Sequence, residues 1–242
     1  MTAGTLFGIG VGPGDPELIP LKAVRLLQQV DRVFTAASTK NDYSLAVEIA
    51  RPHIPQATAI ETLEFPMRKD RTVMERAWRQ NAQRLAKALE SGHSAAFLTL
   101  GDPLTYSTYG YILRHLQAQW PHLDVITVPG ITSYQAAAAA VNRPLVEGEE
   151  SLLIMSGVHG GERFQRMPVK PDNVVFLKAY RNVEGICTSL EAADMLSGGV
   201  AVANCSRQDE QIYRDLNLLK HQRPNYWTLI MARKKHDASE EN

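Results

Sequence analysis

A chain of 242 residues, 44% hydrophobic and 21% charged, carries enough apolar material for one large domain or two smaller ones. Its 26 Lys and Arg balance 26 Asp and Glu, so bulk charge gives no support to a general nucleic-acid or membrane-surface role. Two cysteines, Cys187 and Cys205, with no C-x-x-C pair exclude a disulfide framework, and no apolar run reaches the roughly 18 residues of a membrane helix.

Chemistry-bearing residues begin early, with Gly8-Ile9-Gly10-Val11-Gly12-Pro13-Gly14-Asp15, four glycines on alternate positions ahead of Pro16. Glycine at such spacing marks backbone that something approaches closely. Neither common phosphate fingerprint fits. The P-loop needs Gly-Lys-Ser/Thr after four variable residues, and the dinucleotide turn needs G-x-G-x-x-G, which Pro13 and Asp15 interrupt. A turn closed by a carboxylate repels phosphate, so a different guest is expected. Asp15, Pro16 and Glu17 then read as the start of a helix with Leu18, Leu21, Val24 and Leu27 on one face.

Short apolar runs at Thr5–Val11, Asp31–Ala37, Ala57–Phe65, Ala95–Leu100 and Val125–Val128 read as buried strands. Helical patterns cover Arg71–Leu89 and Thr108–Trp120 between them. This alternation predicts a mainly parallel sheet covered by helices. Pro129-Gly130 breaks the chain, and Thr132-Ser133-Tyr134-Gln135 reads as a capping box before an alanine-rich helix. Strands are then expected at Ser151–Ser156, Val174–Lys178, Gly199–Asn204, Gln211–Asp215 and Trp227–Ala232, with fewer helices and a mixed sheet. The reading is α/β: an N-terminal α/β domain over residues 1–129, a C-terminal α/β domain over 130–235 and a flexible tail over 236–242.

A second informative stretch runs Phe97-Leu98-Thr99-Leu100-Gly101-Asp102-Pro103-Leu104-Thr105-Tyr106-Ser107-Thr108-Tyr109. A buried strand ends at Gly101 and delivers an acid and several hydroxyls at its carboxyl end, where parallel sheets bind ligands. The plainer alternative is a helix entry capped by Ser107. Capping likewise suffices for Asp15 and Thr132, and Cys205 reads as a small buried filler. The seven histidines show no ligand spacing, so no metal site is expected.

Gly8–Asp15, Leu100–Pro103 and Pro129–Ser133, taken in order, resemble the tetrapyrrole methyltransferases, and the resemblance runs down to Trp227–Arg233. Phe65-Pro66-Met67-Arg68-Lys69-Asp70, Ala77-Trp78, Leu98–Tyr109 and Glu147-Gly148-Glu149-Glu150 are similar to the branch that methylates C20 of precorrin-2 or cobalt-precorrin-2 in cobalamin biosynthesis. The resemblance implies two class III methyltransferase-like α/β domains with S-adenosylmethionine in the cleft between them, and a cytoplasmic homodimer acting on a tetrapyrrole. Carried onto this sequence, it implies cofactor contacts at Pro13, Leu100, Gly101, Asp102, Thr105, Thr132, Ser133, Lys178 and Cys205. Lys178 stands where relatives often carry methionine, and Cys205 where they often carry glycine.

Methyl transfer from a sulfonium needs alignment of donor and acceptor rather than a covalent nucleophile. Asp102 and Tyr106 are the candidates for assisting proton loss from the acceptor carbon. Gly12 and Asp15 are expected to face the macrocycle. Arginine pairs bidentately with carboxylates, so Arg68, Arg71 and Arg143, and also Arg163, Arg166 and Arg181, are candidate clamps for the acetate and propionate groups. Solvated surface charge is the alternative for each. A uroporphyrinogen-III methyltransferase is a rival within the fold, but that type carries Tyr-Asp after the second strand, where this chain has Phe34-Thr35-Ala36-Ala37. An adenosylmethionine-binding protein without activity is the rival outside catalysis.

Overall fold

Each apolar run of the first half forms a strand: β1 (Leu6–Gly10), β2 (Arg32–Ser38), β3 (Ala59–Phe65), β4 (Ala95–Thr99) and β5 (Val125–Val128). The computed structural model describes residues 2–38, 44–66 and 70–234. The chain divides into two compact units, Met1–Thr132 and Ser133–Asn242.

In the first unit the five strands are all parallel, in the order β3-β2-β4-β1-β5. Four helices cover the sheet: α1 (Leu21–Leu27), α2 (Leu45–Ala50), α3 (Arg71–Glu90) and α4 (Tyr109–Gln119). One face packs Leu6, Phe34, Leu63 and Phe97 against α3 and α4; the other packs Ile9, Val33, Ala96 and Leu98 against α1 and α2. Asp70 starts α3 by accepting from the amides of Thr72 (2.9 Å) and Val73 (3.3 Å). Trp78, Ala82, Leu85 and Leu89 then form its buried stripe, and burial of each large side chain contributes about 1.5–3 kcal/mol. Trp78 also stacks on Tyr111 of α4, with ring centroids 3.9 Å apart.

The first helix departs from the expected pattern. Asp15 caps only a 3-10 turn, Pro16–Leu18, and α1 begins afresh at Leu21. Pro20 is the cause: it lacks an N–H and disfavours helical geometry in Ile19 before it. Leu21, expected on the buried stripe, is therefore 66% exposed.

The second unit holds the alanine-rich helix α5 (Ser133–Ala140) and a mixed sheet of β6 (Leu152–Ser156), β7 (Asn173–Leu177), β8 (Val200–Ala203), β9 (Gln211–Tyr213) and β10 (Thr228–Arg233). The order is β6-β7-β10-β8-β9, with β6 and β7 parallel and the other pairs antiparallel. Two helices that the pattern left out lie here, α6 (Glu162–Gln165) and α7 (Val183–Glu191). They bury Phe164, Ile186 and Leu190 against Phe176, Ala201 and Ile230. Asn182 caps α7 by accepting from the Gly185 amide at 3.0 Å.

Candidate active site

The connections of the first sheet set the position of the site. The chain leaving β1 turns toward β2 on one side, whereas the chain leaving β4 crosses β1 to reach β5 on the other. The carboxyl ends of β1 and β4 therefore flank a topological switch point, the place where open parallel sheets bind ligands. Both loops singled out in the sequence emerge there, and the Pro129-Gly130 break lies at the end of neighbouring β5.

Three glycines make these strand ends meet. A Cβ on Gly10 would lie 2.5 Å from the Gly101 carbonyl oxygen and 2.7 Å from the Gly130 amide nitrogen. A Cβ on Gly130 would collide with that same carbonyl oxygen. Bare backbone is the only covering that lets the three ends approach so closely. The loops are also bonded to one another: the Gly101 amide donates to the Gly12 carbonyl at 2.7 Å, and the Gly12 amide to the Gly101 carbonyl at 3.4 Å. Gly12 (φ +86°) and Gly101 (φ +68°) sit in left-handed conformations that other residues rarely adopt.

Asp102 ties the arrangement shut. Its Oδ1 accepts from the Leu104 amide at 2.9 Å and the Thr105 hydroxyl at 3.1 Å, while its Oδ2 accepts from the Gly130 amide at 3.2 Å. One carboxylate thus bridges the turn after β4 to the turn after β5. Beyond it the loop presents Leu104 and Tyr106, 64% and 52% exposed, with Tyr106 held at φ +52°. A bulky residue in that region is an outlier that costs on the order of 1–3 kcal/mol. Ser107 accepts from the Tyr109 amide at 3.1 Å, so the helix-entry reading of this serine holds as well.

In the second unit, β7 and β8 run in the same direction, each antiparallel to β10, so their carboxyl ends share one edge with the start of β10. Lys178 (φ +59°), Asn204 (φ +53°) and Ser206 (φ +63°) lie along that edge. Cys205, between the last two, is buried, and burial pushes its thiol up to about 12. A neutral buried thiol is a filler rather than a nucleophile. We expect native protein to resist alkylation at Cys205 at pH 8, with labelling appearing only on unfolding. Rapid native labelling of Cys205, read by mass spectrometry, would contradict this.

With this geometry in view, the comparisons with known proteins are decisive. A family model described as Tetrapyrrole (Corrin/Porphyrin) Methylases matches residues 5–217. The chain belongs to the tetrapyrrole methylases. It is 30% identical over 239 residues to the cobalt-precorrin-2 C(20)-methyltransferase of Salmonella typhimurium, covering 98% of this chain and 99% of that protein. It is also 30% identical over 206 residues to the precorrin-2 C(20)-methyltransferase of a Sinorhizobium species, covering 82% and 83%. The solved structure of a cobalt precorrin-4 methyltransferase shares the fold, with a TM-score of 0.69 and 21% identity over 95% of this chain and 94% of that one. The expected fold class is borne out: two α/β sheets, one parallel and one mixed.

In this tetrapyrrole methylase the expected site residues fall into distinct groups. Gly12, buried Pro13, Gly101, Asp102 and Thr105 gather at the switch point, and Leu100 packs there against the α1–α2 core. Thr132 is buried two residues beyond Gly130, and Ser133 opens α5. Asp15 accepts from the Glu17 amide at 2.8 Å, which agrees with a capping task.

Four candidates are placed otherwise than expected. Asp102 was a candidate for assisting proton loss; its carboxylate accepts from the Leu104 amide and Thr105 hydroxyl of its own loop and from the Gly130 amide in the turn after β5, an arrangement suited to positioning. Arg143 was a candidate carboxylate clamp. Its guanidinium instead donates to the backbone carbonyls of Gly198 (2.7 Å) and Met231 (3.5 Å), at the sheet edge opposite Lys178 and Cys205. Burial, and then Arg233 nearby, lowers its pKa, in keeping with a structural staple. Arg71 begins α3 with its side chain 86% exposed and pairs loosely with Glu75 at 3.8 Å, a solvated contact. Arg166 pairs with Glu162 at 3.2 Å and is equally solvated. Arg68 lies outside the described residues.

Sequence reasoning did not single out Gly130, whose amide receives the Asp102 carboxylate, or the aromatic pair Tyr226-Trp227 at the start of β10. The Pro-Gly dipeptide marked the break but not the contact. Among the described residues, no group of three or more His, Cys, Asp or Glu side chains comes together to hold a metal. No helix among them is long and apolar enough to cross a membrane.

Proposed function

We propose that this methylase transfers the methyl group of S-adenosylmethionine to C20 of precorrin-2 or its cobalt form, as a cytoplasmic homodimer. The observation that carries the reading is the bare-backbone shelf of Gly10, Gly101 and Gly130 at the β1/β4 switch point. A Cβ at Gly10 or Gly130 would run into neighbouring main chain, whereas one at Gly101 would meet only the main chain of Ile131 and Thr132 at 3.8 and 3.9 Å, so the junction fixes the main chain that a ligand at the switch point would meet. The two C20-methyltransferase relatives support the position of methylation, and the resemblance supports the dimer.

Bound there, the cofactor supplies a sulfonium-activated methyl, an electrophile that needs no activation by protein. The chain's contribution is then placement. The main-chain groups of Leu100 to Asp102 offer dipoles at fixed positions without a full negative charge, which would favour the cationic ground state over the transition state and slow transfer. Asp102 holds that main chain in register, and buried Pro13 and Thr132 bound the site. Tyr106, on the exposed crest of the loop, is the remaining candidate for handling the proton released from the acceptor carbon. Cys205 forms no covalent relay, because its thiol stays protonated.

The test is incubation of the full chain with methyl-labelled S-adenosylmethionine and precorrin-2 or cobalt-precorrin-2 under anaerobic conditions. A trimethylated product labelled at C20 is expected. Label at another position, or none on either acceptor, overturns the reading. Tyr106→Phe should lower kcat about 100-fold while leaving the affinity for S-adenosylhomocysteine unchanged; an unaltered kcat removes Tyr106 from proton transfer.

A further inference from the structure

Gly8, the first glycine of the alternating run, faces a side chain of the protein itself. A Cβ there would collide with the ring and hydroxyl oxygen of Tyr109. In the sheet register Gly8 stands between Phe97 of β4 and Thr127 of β5. The Tyr109 ring lies in the slot that the missing side chain leaves. On one side it packs against Phe97, with centroids 5.8 Å apart and planes tilted by 39°. On the other its hydroxyl bonds the Thr127 hydroxyl at 2.9 Å. Tyr109 has the largest fully buried side chain among the described residues.

Core filling does not account for three features of this tyrosine. The first is the hydroxyl. A phenylalanine would fill the slot, and burying a hydroxyl costs free energy that only a bond such as the one to Thr127 offsets. Burial also raises the pKa of the phenol, so it stays protonated and the bond holds at working pH. The second is its place in the chain. Tyr109 opens α4 directly after the loop that carries Asp102, Thr105 and Tyr106, and its amide donates to Ser107 at 3.1 Å. The third is that both ends of this loop are fastened to one short segment. Asp102 accepts from the Gly130 amide at 3.2 Å, and Tyr109 bonds Thr127 three residues earlier. Between the two ties Tyr106 holds left-handed backbone at φ +52°. Strain of that kind persists only where the surrounding structure over-determines it.

We propose that Tyr109 is a positioning residue whose hydroxyl, through Thr127, holds the Leu104–Tyr106 crest in the conformation that meets the methyl acceptor. The role toward the acceptor rests on the reading of the chain as a precorrin methyltransferase. Tyr109 is fully buried and acts only through the loop. The two ties divide the work: Asp102 secures the main chain at Gly101, and Tyr109 secures the crest that carries Tyr106. Gly8 belongs to the second tie, because it makes room for the ring.

The experiment uses the full chain with Tyr109→Phe, Thr127→Val and the double variant. Tyr109→Phe keeps the ring in its slot and removes only the hydroxyl. Each single variant should lower kcat on precorrin-2 about 10-fold, with the Kd of S-adenosylhomocysteine by calorimetry within twofold of wild type. The double variant should be no slower than the slower single one, because both remove the same bond. Thr127→Ser, which keeps a hydroxyl, should recover most of the loss. Amide hydrogen exchange at residues 103–108 should quicken about 10-fold in Tyr109→Phe, with β1 and β4 unchanged. Wild-type kcat in both single variants of an active enzyme overturns the proposal. So does exchange that quickens evenly over β1, β4 and the loop, which would make Tyr109 a core filler. No turnover by wild type on either form of precorrin-2 overturns the functional reading. Exchange then decides the tie by itself: faster exchange confined to residues 103–108 upholds it, and unchanged exchange there overturns it.

Discussion

Gly130→Ala is expected to abolish measurable methyl transfer and to destabilise the protein by about 1–3 kcal/mol. The added Cβ would collide with the Gly101 carbonyl oxygen and lie 2.8 Å from the Gly10 main chain, so the clash is with backbone and no rotamer change relieves it. The ends of β1, β4 and β5 must separate instead. Displacement of about 1 Å at a methyl-transfer site costs on the order of 100-fold in rate, and here the displaced atoms form the site. Gly10→Ala should behave alike, since its Cβ meets the Gly101 carbonyl oxygen and the Gly130 main chain. Gly110, in α4, is the control: a Cβ there meets nothing within 4 Å, and Gly110→Ala should retain full activity and gain about 0.5–1 kcal/mol. Chemical denaturation and initial rates on the three variants decide the matter. Wild-type stability and turnover in Gly130→Ala would overturn the shelf as a close-packed junction.

Asp102→Ala should lower kcat/KM about 100-fold with little loss of global stability. The carboxylate accepts from the Leu104 amide, the Thr105 hydroxyl and the Gly130 amide, and its removal frees the turn after β4 from the turn after β5. Hydrogen bonds to a charged acceptor contribute about 1.5–3 kcal/mol each when protected and less at a half-exposed position such as this one. Three together set how ordered the Gly101–Thr105 main chain is before the ligands arrive. Asp102→Asn separates positioning from proton transfer. The amide keeps a carbonyl oxygen for Leu104 and Thr105 and loses only the acceptor facing Gly130. It should therefore retain about a tenth of wild-type activity with an unchanged pH–rate profile. An Asn variant as inactive as the Ala variant, together with loss of the acidic limb of that profile, would return Asp102 to the role of base.

The contrast between Asp102 and Arg143 explains how much of the site was legible. Both are charged residues beside a glycine or proline, and in the sequence both read as functional. Asp102 follows a strand that ends on Gly101, and that local signal correctly located it at the mouth of a parallel sheet. Its partner, the Gly130 amide, is 28 residues away, and only the pairing of β4 and β5 on either side of β1 brings the two together. Arg143 follows an alanine-rich helix and carries no local mark of burial, so its bonds to Gly198 and Met231 were invisible until the second sheet was assembled. Pro20 shows the reverse case. The break it imposes on the first helix is written in the sequence, but the apolar spacing of Leu18, Leu21 and Val24 outweighed it in the reading.

Hydrophobic patterning and strand–helix alternation by themselves determined the α/β class and the parallel first sheet, and the ordered motifs Gly8–Asp15, Leu100–Pro103 and Pro129–Ser133 carried the family resemblance. These are local properties, set by residue types a few positions apart. Tertiary structure alone decided which strand ends meet. The order β3-β2-β4-β1-β5 creates the switch point, gathers three glycines 91 and 29 residues apart at one carbonyl oxygen, and brings the Asp102 carboxylate onto the Gly130 amide. The same holds in the second unit, where Lys178 and Tyr226 are distant in sequence and in contact only because β7 pairs with β10. Strand order is a choice among long-range pairings of similar local sequences, and its energy lies in contacts that no short window of residues contains.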